Sequence, residues 1–79
     1  NKIGIEVKRL DRKAELDRLY GQTLDFVEFY PDVILVIVNL GVSIRDIENF
    51  KKKVGGDSRL KNVIIIVKET SPSHASSTE

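Results

Sequence analysis

The run DVILVIV, residues 32–38, constrains the fold more than any other feature of the chain. From 33 to 38 every side chain is aliphatic, most are β-branched and none is charged. This is the pattern of a central parallel strand with both faces covered. A second run of the same kind, VIIIV at 63–67, reads as another strand apolar on both faces. Parallel neighbours cannot be joined by a hairpin; they need a crossover, usually a helix.

The sequence between and before these runs supplies such crossovers. Over residues 10–31, Leu16, Leu19, Tyr20, Leu24, Val27 and Tyr30 recur at helical spacing, with Asp11 as the expected N-cap. Gly21 interrupts this helix, and is expected either to allow a close approach or to mark a bend. Pro31 closes it, because the residue before a proline avoids the helical region. Over residues 42–61, Ile44, Ile47, Phe50 and Val54 form a second stripe. Ser43 with Asp46 resembles a capping box, three lysines fill the last turn, and Gly55 and Gly56 end it.

The opening segment KIGIEVKR, residues 2–9, alternates with period two. Ile3, Ile5 and Val7 fall on one face, expected to be covered; Lys2, Gly4, Glu6 and Lys8 fall on the other, which reads as solvated. The order is therefore β-α-β-α-β, an α/β fold with a small, mainly parallel sheet and right-handed crossovers. Residues 1–69 form the expected domain, and residues 70–79, TSPSHASSTE, read as a disordered polar tail. Three parallel strands leave both sheet edges open. That predicts a homo-oligomer, or a further N-terminal part in a chain whose first residue is not Met.

Composition excludes several classes. The chain has 79 residues, enough for one domain, and 41% hydrophobic residues, enough for a core. It has no cysteine, which removes disulfides, thiolate nucleophiles and cysteine-held metals and goes with a cytoplasmic, intracellular setting. Its one histidine, His74, lies in the tail, so a multi-histidine metal site is excluded. No apolar run reaches the ~18 residues of a membrane span. The net charge of +1 gives no global basic field, so nucleic acid would have to be met by a local patch.

Glu6 and Lys8 carry the chemistry of the opening strand. Residues i and i+2 point to the same side, about 6.5 Å apart. A carboxylate there can hold a hard divalent cation, and a lysine can orient a metal-bound water or neutralise phosphate. An alternating charged strand face is also ordinary solvated surface, so the residues leave both readings open.

IGIEVKR, followed by a long helix and an apolar strand, resembles the second motif of the PD-(D/E)XK, or restriction-endonuclease-like, nuclease superfamily. The resemblance covers residues 2–69 and the C-terminal half of that core. It implies that Glu6 is the motif's acid and a metal ligand, that Val7 lends its main-chain carbonyl to the same metal, and that Lys8 is the catalytic lysine. Gln22 matches a glutamine that some exonuclease-type branches carry on the following helix, with Phe26 where those branches have tyrosine. The implied cofactor is Mg²⁺, with Mn²⁺ as substitute, and the implied partner is DNA. The family's first acidic motif has no counterpart here: five residues precede Glu6 and none is acidic. The chain is thus expected to be a fragment or degenerate member of a DNA endo- or exonuclease module. The alternative is a noncatalytic α/β interaction module that self-associates or binds a protein partner. The basic residues Lys51, Lys52, Lys53, Arg59 and Lys61 read as a solvated helix end whose lysines complement the helix dipole, with nonspecific contact to a nucleic-acid backbone as the alternative.

Overall fold

A computed structural model describes residues 2–70 of the chain. The elements are β1 (Ile3–Leu10), α1 (Ala14–Phe26), β2 (Asp32–Asn39), α2 (Ile44–Gly55), a 3₁₀ turn (Ser58–Leu60) and β3 (Val63–Glu69). The three strands form one parallel sheet in the order β1-β2-β3. The tail expected at 70–79 lies outside the described residues beyond Thr70, which donates its N–H and hydroxyl to the Asn39 carbonyl. His74 lies there too.

This strand order decides which side of the sheet is covered. Two right-handed crossovers stepping the same way along a sheet place both helices on one face. The core accordingly lies on that face alone. Leu35 and Ile37 of β2 are buried against Leu16 and Leu19 of α1 and Ile47, Phe50 and Val54 of α2, with Leu10, Val42 and Leu60 in the same cluster; Val33 is buried as well. Ile34, Val36 and Val38, on the other side of the same strand, are half-buried, and Ile64 and Ile66 of β3 are exposed. The expectation that β2 and β3 are covered on both faces is therefore corrected: a second layer is absent among the described residues.

The side assignment of β1 is corrected as well. Ile3, Ile5 and Val7 are exposed, while Gly4, Glu6, Lys8 and Leu10 face the helix layer. The reason is visible at both ends of the strand. Leu10 reaches into the core, and Gly4 lies under the paired rings of Phe26 and Tyr30, whose centroids are 4.8 Å apart. A Cβ on Gly4 would lie 2.7 Å from Tyr30 Cγ and 2.8 Å from Phe26 Cε2, so only glycine passes there unstrained.

The helix ends follow local chemistry. The Ser43 hydroxyl accepts from the Asp46 N–H at 3.1 Å, as the capping pattern predicts. Asp11 does not cap α1; its own N–H donates to the Glu15 carboxylate at 2.9 Å, and Lys13 sits at the cap without a side-chain bond. Gly21 makes no close approach, since a Cβ there would meet nothing within 4 Å, and α1 runs through it unbroken. Gly21→Ala is therefore expected to stabilise the fold by about 0.5–1 kcal/mol, through the smaller entropy of the unfolded chain. A chemical-denaturation midpoint that falls on this substitution would contradict the open placement.

Candidate functional site

Glu6 and Lys8 project from β1 toward α1, and their side chains form an ion pair with Lys8 Nζ 3.3 Å from a Glu6 carboxylate oxygen. Both side chains are about one-third exposed, so the pair contributes only about 0–1 kcal/mol. It opens onto a cleft of about 350 Å³ between β1 and α1. Gln22, Asp25 and Phe26 of α1 line the far wall, Leu19 and Thr23 the floor, and Phe29 the end. The structure thus brings Glu6, Lys8 and Gln22, sixteen positions apart at their extremes, to one cavity. Val7 is separated from them: its side chain lies on the opposite, exposed face, leaving only its main chain to take part.

The placement of the charges is informative because stability alone would not choose it. The helix-covered side of a strand is where aliphatic side chains stabilise most, yet here it carries Glu and Lys while Ile3, Ile5 and Val7 face outward. Charged groups on the helix-covered side of a strand, bordering a cleft, make this the candidate site.

Two features of this cleft escape the sequence reading. Asp25 is a second carboxylate on its wall, on the same helix face as Gln22 by an i, i+3 step. Thr23, buried, satisfies its hydroxyl by donating to the Leu19 carbonyl at 2.8 Å, so it is a spacer rather than a reacting group. The i, i+3 step was readable in the sequence; the facing of α1 toward β1 was not.

The donor set for a hard cation is small. Glu6 offers one carboxylate beside a lysine, with Asp25 on the same wall, and no group of three or more His, Cys, Asp or Glu suited to a metal occurs among the described residues. Mg²⁺ commonly accepts one or two carboxylates and takes its remaining oxygens from water and phosphate. The lining offers one or two carboxylates for such an ion and no closed protein cage.

Two other polar clusters are structural. At the carboxyl end of β2, where open α/β sheets often bind ligands, Asn39 is buried and completely bonded. Its amide donates to the Val42 carbonyl at 2.8 Å and to Glu69 at 2.9 Å, and its oxygen accepts from the N–H groups of Gly41 and Val42 at 3.1 and 2.7 Å. The second cluster ties α1 to the 3₁₀ turn. The Tyr20 hydroxyl donates to Asp57, Arg59 grips the same carboxylate at 2.8 and 3.0 Å, and Lys53 Nζ lies 4.2 Å from the Tyr20 ring centroid. Lys51 pairs with Glu48 at 3.6 Å. Three of the five basic residues around the end of α2 are thus engaged within the fold.

The Arg59 guanidinium, and after it the Tyr20 hydroxyl, hold the Asp57 carboxyl well below the usual carboxylate range, and the same bond raises the Tyr20 phenol. A depressed native pKa contributes stability that is present above the unfolded value and lost as pH falls through the native one. Asp57→Asn keeps the shape and the cap on the Arg59 N–H while removing the charge. It is expected to lower the melting temperature by a constant amount from neutral pH down to about 4, with the gap to wild type narrowing below that. Thermal melts of both proteins at stepped pH check this; a gap that widens in acid contradicts it.

No helix among the described residues is long and apolar enough to cross a membrane. Comparison of the chain with protein-family models, with curated proteins and with solved structures finds no match.

Proposed function

We propose that this chain carries the acid–lysine half of a metal-dependent nuclease site of the PD-(D/E)XK kind, acting on DNA phosphodiesters. The observation that supports it is the gathering of Glu6, Lys8 and Gln22 around one cleft, with two charges on the packed side of β1. In this reading the Glu6 carboxylate, with the Val7 carbonyl, would hold Mg²⁺ or Mn²⁺. The ion, when bound, supplies charge for the phosphoryl oxygens and a more acidic water. The Lys8 ammonium would donate a hydrogen bond to a phosphate oxygen or to the oxygen of the attacking water. The Gln22 amide fixes the geometry from the opposite wall. A second acid is required in addition to Glu6, from Asp25 or from residues outside this chain. An intracellular place of action goes with a DNA substrate.

The test is cleavage of single- and double-stranded DNA with Mg²⁺ and with Mn²⁺. Glu6→Gln and Lys8→Ala are expected to lower the rate by 10²-fold or more, the usual scale for lost charge stabilisation at such a site. Because the ion pair contributes so little stability, both variants should keep the wild-type circular dichroism spectrum and melting temperature to within a few degrees. Absence of cleavage by this chain with either ion excludes Asp25 as the second acid, and absence of cleavage by a longer chain that carries an upstream acid sinks the reading. A noncatalytic interaction module is the second reading, and one observation favours it: the exposed aliphatic side of the sheet.

A further inference from the structure

The uncovered side of the sheet is organised in rows by the strand register. Ile5, Ile34 and Ile64 stand side by side, as do Val7, Val36 and Ile66. The exposed members, with Ile3, retain from 49% (Ile66) to 62% (Ile5) of their surface. Together the block presents on the order of 500 Å² of aliphatic surface, at the upper end of what a monomer's largest patch exposes. Its two ends differ in charge. Arg9, Val38 and Lys68 form the row beyond the carboxyl end, and Asp32 lies beside Ile3 at the amino end.

We infer that this face binds a second copy of the chain, sheet against sheet, about a two-fold axis that runs the facing strands antiparallel. Three observations select that occupant and that orientation. The patch is aliphatic with no buried polar group to satisfy, the character of a sandwich interior. The sequence at 71–79, SPSHASSTE, offers one aliphatic side chain, Ala75, and so little apolar surface to match the patch. An antiparallel pairing lays the Asp32 end of each copy against the Arg9 and Lys68 end of the other, twice by symmetry, whereas a parallel pairing sets Arg9 and Lys68 against their own kind. Burying the patch on both copies removes about 1,000 Å², with the charged rim in addition, which reaches the lower range of specific interfaces. The inference does not depend on the nuclease reading, since Glu6, Lys8 and Gln22 lie on the other side of the sheet.

Sedimentation of the protein from about 1 to about 200 µM tests it, because a dimer of this size should dissociate on dilution within that window. The wild type is expected to be a dimer at the upper end. Ile64→Asp touches no core contact and is expected to raise the dissociation constant at least about tenfold with an unchanged circular dichroism spectrum. Asp32→Lys is expected to weaken the dimer likewise, and Asp32→Lys combined with Arg9→Glu and Lys68→Glu to restore it. A monomer throughout overturns the inference and assigns the face to another occupant. A dimer indifferent to Ile64→Asp overturns it in favour of pairing through the sheet edges. A triple variant no tighter than Asp32→Lys alone overturns the antiparallel arrangement.

Discussion

Asn39→Leu is expected to lower the unfolding free energy by about 3–4 kcal/mol, read as the shift in a urea or guanidinium transition at constant slope. The side chains are similar in volume, so the cost comes from hydrogen bonds. The Asn39 amide group serves the Val42 carbonyl, the Glu69 carboxylate and the N–H groups of Gly41 and Val42. Val42 is itself buried, and its N–H and carbonyl would be left without partners at about 1–3 kcal/mol each; Gly41 and Glu69 are exposed and water can replace the loss there. A domain of this length has roughly 4–12 kcal/mol in total, so one substitution removes a large share. Asn39→Asp separates the contributions. It keeps the acceptor for Gly41 and Val42, loses both donors and sets a carboxylate against Glu69. Its cost should therefore be larger at neutral pH than at pH about 4, where carboxylates begin to protonate. A loss below about 1 kcal/mol for Asn39→Leu would show that the turn after β2 does not rely on this amide.

How much of this architecture can be read from the chain depends on which residues carry one meaning. The alternation of β and α elements is legible because the runs at 33–38 and 63–67 are continuous and aliphatic while the segments between them are helical in period. The order of strands across the sheet is not legible. Order β1-β2-β3 places both helices on one side, whereas an order with β1 in the centre would place them on opposite sides, and strands apolar on both faces fit either. From that ambiguity comes the expectation of a doubly covered sheet. The facing of β1 was open to the sequence at one point: Leu10 shares parity with Gly4, Glu6 and Lys8, not with the isoleucines. The Glu6–Lys8 pair and Gln22 are found through a motif, and their common cleft follows from the step of α1 over β1. Asn39 could be marked as a turn residue by its place before Leu40 and Gly41, but its bond to Glu69 joins residues thirty positions apart and has no local signature.

Gly4→Val joins the stability of the fold to the shape of the cleft and is expected to cost about 2–3 kcal/mol. The first carbon added at Gly4 already lies within 2.7–2.8 Å of both aromatic rings, closer than side-chain carbons pack, so Phe26 and Tyr30 must be displaced together. The two rings lean on one another, with centroids 4.8 Å apart and an interplanar angle of 45°, so a shift of one presses on the other. Phe26 also lines the cleft with Glu6, Lys8 and Gln22, so its displacement alters the wall opposite the ion pair. Two measurements check this. Denaturation of Gly4→Val, Phe26→Ala and the pair together should show strong coupling, the double variant losing less than the two single losses combined, since removing the ring makes room for the valine. Gly4→Ala should lie between wild type and Gly4→Val, because one carbon needs a smaller shift of the rings than three. Additive losses would mean that the rings do not rest on Gly4. The single glycine of β1 would then be a strand-weakening residue only, and its substitution would raise stability through β-propensity.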